Sequence, residues 1–319
     1  MGRSLISEFN AALEKLMPFL TLSGLIIGFL LGSGAGRFSA FAVPLFAFMT
    51  FSGTINMNVS DFKHTVMHPM PIFMFLIVFH LIQPFTAWTA ASLLLPGDYQ
   101  IATGLVLLYS IPVAVSSSIW TNIFHGNIPL NITLILIDTF LGPVVTPLIV
   151  KIFCGAEITI NSASMFMSLV WMIVVPSCLG IAVNQISGGK IPQKFSPILK
   201  PASKIALFCV IIINAGKIGH SLHFDMLYVR TGLITLALCF TGFFIANIFA
   251  GIIKLPYDQK VSFVFSAGMR NISAALVIAI TYFEPRCSIP VVIGISFQQL
   301  LTSISGKILL KPETATQKK

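Results

Sequence analysis

The chain has 319 residues, of which 56% are hydrophobic and only 9% charged, and its mean hydropathy is +0.93. A water-soluble domain carries about 25% charged residues, so a soluble fold is excluded, and so is nucleic acid as the target of the +9 net charge. The lysines and arginines sit between apolar runs of about 20 residues, where they set membrane orientation.

These runs are continuous rather than alternating, which selects helices over a barrel as the structure that satisfies every backbone polar group in hydrocarbon. Ten spans are predicted: 17 to 32, 40 to 57, 71 to 95, 101 to 124, 128 to 153, 163 to 186, 202 to 217, 230 to 253, 260 to 283 and 287 to 309. The first 16 residues mix Arg3, Glu8, Glu14 and Lys15 and lack the order of a cleavable signal, so no removed presequence is expected. With ten spans, 13 basic residues (Arg3, Lys15, Lys63, Lys190, Lys194, Lys200, Lys204, Lys254, Lys260, Lys307, Lys311, Lys318, Lys319) share the side of both termini. Five (Arg37, Lys151, Lys217, Arg230, Arg286) lie on the other. This asymmetry predicts a multi-pass protein of the cell (inner) membrane with cytoplasmic N- and C-termini.

The longest polar connection runs over 188–203. It follows span six and separates residues 1–187, the first five-span repeat plus span six, from residues 204–311, which complete the second repeat; 312–319 is a polar tail. Five spans and five spans make inverted copies, a transporter arrangement. The fourth span of each half is interrupted: Ile111-Pro112 precedes Ser116, Ser117 and Ser118 in span four, and Ser266-Ala267-Gly268-Met269-Arg270-Asn271 interrupts span nine. Paired broken helices point to a midplane binding site, although proline and glycine are also ordinary kinks.

Arg270 is the sharpest single feature. An arginine at bilayer depth costs from about 2.5 kcal/mol to well over 10, so it must be paired, hydrated or bound to something. Asp138, the acidic residue deep in span five, is its expected partner, and Asn131, Ile135 and Asp138 share one helical face. A static pair that only fixes packing is the plain alternative. His80 in span three is either a packing residue or part of the site wall, and its near-neutral reference pKa also makes it a candidate proton carrier. His125, His220 and His223 fall in predicted loops without metal spacing, and the five cysteines are scattered singly, so no metal site is predicted. The serine triplet lacks a nucleophile-elbow pattern, so an intramembrane enzyme is not expected. Nor is a sensor, since no signalling segment is appended.

In order along the chain, Ser60-Asp61-Phe62, His68-Pro69, Pro84 with Thr86-Ala87-Trp88, Pro112 with its serines, Gly126-Asn127 and Pro143 with Thr146-Pro147 form one set of motifs. Leu255-Pro256-Tyr257-Asp258, Gly268-Met269-Arg270-Asn271 and Ile304-Ser305-Gly306 continue it. Together they resemble the bile acid:sodium symporter family of organic-anion carriers. The resemblance implies an all-α polytopic fold with a panel domain (spans one, two, six and seven) and a core domain, in which helices four and nine cross where unwound. It also implies a small organic anion as substrate, the lipid bilayer as surroundings, no cofactor, and Na+ as coupling ion; Asp138 and His80, the titratable side chains facing the pathway, make H+ the alternative.

By the same resemblance the first sodium site falls on Ser117, Ser118, Asn131, Ile135 and Ser266. Ile135 there replaces a threonine, and Ser266 a glutamate shared with the second site. In that second site Arg270 stands for a glutamine and Phe79 for another, so its carboxylate and both amides are gone. Arg270 is then a built-in surrogate cation. Val115, Asn271, Thr302 and Ser303 match cavity-lining positions. Substrate identity and the direction of transport are not legible.

Overall fold

The computed structural model describes residues 5–57, 69–155, 161–218 and 226–310. Among them the only β-type pairing is an isolated antiparallel bridge between Val113 and Arg270; the rest is helices and short connections. We number the helices α1 (Leu5–Leu31), α2 (Ala42–Thr54), α3 (Pro69–Leu94), α4 (Tyr99–Ser110), α5 (Ser117–Ile123), α6 (Ile128–Cys154), α7 (Ser162–Ser187), α8 (Lys190–Ile218), α9 (Met226–Ile252), α10 (Tyr257–Gly268), α11 (Ile272–Tyr282) and α12 (Ile289–Leu309). Both α3 and α7 contain one wide π-helical turn, at Val78–Ile82 and Val170–Val174.

Five of these helices are long and apolar enough to cross a membrane: Pro69–Leu94, Ile128–Cys154, Ser162–Ser187, Lys190–Gly216 and Met226–Ile252. The bent pair Pro285–Ile295 and Phe297–Leu309 is a sixth when counted as one span. Large apolar side chains such as Leu30, Leu93, Ile152 and Leu233 face outward over much of the surface, which in water would be a severe liability and in lipid is the solvated state. The protein is a polytopic helical membrane protein.

The connection predicted over 188–203 needs correction. Only Gly188 and Gly189, at φ 55° and 78°, form a turn, and α8 starts at Lys190. The reason is amphipathicity: Ile191, Phe195 and Ile198 recur at helical spacing against the lysines, and Pro192 falls in the first turn, where its missing N–H costs nothing. The motif Ser60-Asp61-Phe62, His68, the loop residues His220 and His223, and the tail 312–319 lie outside the described residues.

Packing brings α1 onto α8, α8 onto α2 and α2 onto α7, while α9 packs on α10 and α12, and α4 on α3, α6 and α12. Glycines permit the closest approaches: a Cβ on Gly28 would lie 2.5 Å from the Ile212 carbonyl, and one on Gly216 2.6 Å from that of Gly32, so α1 and α8 touch backbone to backbone.

Candidate functional site

Local chemistry explains both helix breaks. Pro112 lacks an N–H and drives the preceding residue out of helical geometry; Ile111 is extended at φ −73°, ψ 149°. In the second half α10 ends at Gly268, where any Cβ would lie 2.1 Å from the Phe243 ring, and Met269 is extended at φ −108°, ψ 120°. The two extended pieces cross and pair antiparallel. The Ala114 N–H donates to Met269 O (3.1 Å) and the Asn271 N–H to Pro112 O (2.8 Å). Backbone groups freed by the breaks thus satisfy each other within apolar surroundings. Asn271 then caps α11 by accepting from the Ala274 N–H (3.4 Å).

Arg270 lies at this crossing, 3% exposed. Its guanidinium donates to Phe79 O (3.0 Å) and Gln83 Oε1 (2.5 Å) through Nη2, and to Ile111 O (3.3 Å) through Nη1. Its Cζ lies 3.3 Å from the centre of the Phe79 ring and 5.5 Å from that of Tyr109. The amide of Gln83 is fixed by donation from Nε2 to Gly242 O (3.0 Å). Phe79 is within the π-helical turn of α3, and such turns shift the backbone pairing and gather at functional positions.

The expected Arg270 to Asp138 pair is not formed, and that expectation is corrected. Asp138, fully buried on α6, accepts from the Val113 N–H with Oδ2 (2.5 Å), and its Oδ1 lies 2.7 Å from His80 Nε2. The acidic residue holds the broken strand of span four and the arginine holds α3 against the same crossing. Their shared depth suggested a pair, but they approach the crossing through different neighbours. His80 is therefore tied to Asp138.

Of the residues assigned to the first ion site, three come together. Asn131 Nδ2 donates to Ser117 Oγ (3.0 Å) and Ser266 Oγ (2.7 Å), all three residues being fully buried, and Asn131 Oδ1 is buried without a hydrogen-bond partner. That orphaned carbonyl and two hydroxyl oxygens are neutral donors of the kind a hard cation takes. Ser118 is not in this cluster; its hydroxyl donates back to Val115 O (2.9 Å). Ile135 is buried and brings no oxygen.

Beside the crossing is a cavity of about 490 Å3 between α2, α8 and the two breaks. Of the four residues expected at the cavity, Val115 and Asn271 are on its wall and Thr302 and Ser303 are not; Arg270, expected at the ion site, is on the wall as well. Thr302 is buried and donates back to Gln298 O (2.7 Å). Sequence reasoning missed Thr50, Lys204, Gln298 and Gln299, which are on the wall. It also missed Gln83. The available signal was the rarity of carboxamides in spans: Gln83 is the only one in span three, and Gln298-Gln299 the only ones in span ten. Gln298 Oε1 accepts from the Arg270 N–H (3.1 Å), and Trp120 Nε1 donates to Gln299 Oε1 (2.9 Å). Lys204 Nζ donates to Asn10 Oδ1 (2.6 Å).

Two further motif fragments meet away from the cavity. Asn127 caps α6 through Leu130 N–H (2.9 Å) and donates from Nδ2 to Asp258 Oδ2 (3.0 Å).

The chain is similar to known proteins along most of its length. The family described as Sodium Bile acid symporter family matches residues 43–223. Uncharacterized protein YbaS of Bacillus subtilis (strain 168) is 35% identical over 93% of this chain and 98% of its own length. From the same organism, the uncharacterized sodium-dependent transporter YocS is 23% identical over 90% of this chain and 89% of its own. The probable sodium/metabolite cotransporter BASS1, chloroplastic, of Oryza sativa subsp. japonica is 24% identical, covering 80% and 61%. Those relatives named for an activity are transporters and not enzymes. The chain is accordingly a secondary transporter of the membrane, and it belongs to the sodium bile acid symporter family.

Proposed function

We propose that this protein carries a small organic anion across the membrane by alternating access, with one sodium ion at Ser117, Asn131 and Ser266 and with Arg270 in place of a second. The observation that carries the reading is the cavity at the crossing: its lining includes Lys204 and Arg270 and, among the described residues, no acidic side chain. A lined cavity with fixed positive charge and the N-terminus of α11 favours an anion. The Arg270 guanidinium spends its bonds on Phe79 O, Gln83 Oε1 and Ile111 O. That shell of neutral oxygens is what a bound cation would take, which favours the surrogate role over direct contact with substrate.

The architecture in this reading is ten spans in two inverted repeats, 1–187 with span six and 204–311, α4 with α5 and α10 with α11 each counting as one broken span. Side-to-side contacts support it. Asp98 pairs with Arg286 (2.9 Å), both assigned to the far side, and Asn127 with Asp258, both assigned to the cytoplasmic side. The mutual packing of α1, α2, α7 and α8 fits a panel against which the remaining helices form a core. Both termini are cytoplasmic.

The His80 to Asp138 contact of 2.7 Å favours a second reading, in which a proton replaces sodium as the coupling ion. Uptake of a panel of radiolabelled carboxylates into proteoliposomes, under imposed Na+ or proton gradients, tests both. Sodium-stimulated uptake with a Hill slope of about 1 for a single site supports the first; uptake indifferent to Na+ but driven by a proton gradient selects the second. No carboxylate uptake under any gradient refutes the anion assignment.

A further inference from the structure

A second cavity, of about 510 Å3, lies away from the crossing, bounded by Asn10 of α1, Asn56 beyond α2, Asn184 of α7 and, on α8, Gln193, Ser196 and Lys200. Its wall carries amide and hydroxyl groups. Ser196 Oγ donates to Asn56 Oδ1 (2.7 Å), so the polar atom that Asn56 has left is its NH2. Asn184 Nδ2 donates to Ile55 O (2.9 Å) and Met57 O (3.1 Å), which leaves its Oδ1 as an acceptor. Lys200 adds a full positive charge, and among the described residues no acidic side chain lines the space.

The first turns of α8 divide into three strips at about 100° per residue. Gln193, Ser196 and Lys200 face the cavity. Ile191, Phe195 and Ile198 face outward, 42%, 44% and 54% exposed. Lys190 and Lys194 run along the seam between these strips, both exposed, and the Lys194 ammonium lies 5.5 Å from the centre of the Phe195 ring. A polar pocket with one lysine, then further cations, then an exposed apolar strip matches the order of groups in an anionic phospholipid read from headgroup to acyl chain. A soluble phosphate would engage the pocket and the lysines alone, without the apolar strip.

We propose that this face of α8 binds one anionic phospholipid of the cytoplasmic leaflet. Lys190, Lys194 and Lys200 hold the phosphodiester at the cavity mouth, and an acyl chain lies along Ile191, Phe195 and Ile198. Basic residues at the cytoplasmic surface attract such headgroups, and lysine stems reach the interface from apolar surroundings. The site bridges α1, α2, α7 and α8, so the lipid ties these four helices together. It also adjoins the substrate cavity through Asn10, which borders the lipid pocket and accepts from Lys204 on the substrate wall.

Native mass spectrometry of the full chain in detergent, with phosphatidylglycerol or phosphatidylcholine added, tests the site. One phosphatidylglycerol should be retained about tenfold better than phosphatidylcholine, from the charge of several lysines. The triple variant Lys190→Gln, Lys194→Gln, Lys200→Gln should lose that preference. Lys151→Gln with Lys307→Gln, exposed basic residues elsewhere, should keep it. All three lysines of the site are exposed, and the melting temperature without lipid, expected to be unchanged, separates lost binding from lost folding. Equal retention of the two lipids, or a preference that survives in the triple variant, overturns the proposal. Displacement of phosphatidylglycerol by millimolar inorganic phosphate alone would assign the pocket to a soluble anion and overturn the lipid assignment. Phe195→Ser with Ile198→Ser should weaken retention as well; an unchanged value removes the acyl contact.

Discussion

Replacing Arg270 with glutamine removes a buried cation from a shell of neutral acceptors and an aromatic face. The three bonds, to Phe79 O, Gln83 Oε1 and Ile111 O, leave acceptors unpaired at about 1–3 kcal/mol each when the donor goes. The stacked Phe79 ring, 3.3 Å away, contributes about 2 kcal/mol as a desolvated cation–π contact. Against that loss stands relief from holding a charge at bilayer depth, itself from about 2.5 to more than 10 kcal/mol. The two terms are of similar size, so Arg270→Gln should fold, with a net stability change of about 2 kcal/mol or less. The charge of the site, by contrast, changes by a whole unit, so transport should be crippled while the protein remains monodisperse. Arg270→Lys keeps the charge but loses the planar fork that reaches three acceptors at once, and should retain partial activity. Adding Ser266→Glu and Phe79→Gln to Arg270→Gln restores oxygen ligands where the guanidinium was, and uptake by this triple variant should become dependent on Na+ in excess of the wild type. The assay is proteoliposome uptake titrated with Na+ for wild type, Arg270→Gln and the triple variant. A folded triple variant with a flat sodium response would refute the surrogate-cation argument and leave Arg270 as a substrate ligand.

Two other substitutions probe how the crossing is held. Asp138→Ala strands the Val113 N–H and one face of His80, and should destabilise the protein by about 3 kcal/mol; Asp138→Asn keeps an acceptor for Val113 and should cost less than half of that, read as melting temperature in detergent. Equal losses would mean that the Val113 contact contributes little. Gly142→Ala on α6 places a Cβ 2.2 Å from Pro112 Cγ, and should displace the broken strand, costing about 1–3 kcal/mol and most of the transport rate; wild-type uptake by this variant would show that the crossing tolerates movement there.

Much of this protein is legible without coordinates, because hydropathy, charge placement and proline act locally. Apolar runs of membrane length, the breaks at Pro112 and Gly268, and the cost of a buried Arg270 each follow from residues close in sequence. The family likeness adds Ser117, Asn131 and Ser266, which do gather into one cluster. What the sequence could not supply is direction around each helix axis and the choice among neighbours at equal depth. Ser117 and Ser118 are about 100° apart on their helix, and only the first reaches Asn131. Asp138 and Arg270 have matching depth and opposite charge, yet tertiary packing gives Asp138 to His80 and Val113, and gives Arg270 to Phe79, Gln83 and Ile111. A charge in hydrocarbon demands partners, and composition states that demand; only the packed helices decide which oxygens are within reach to meet it.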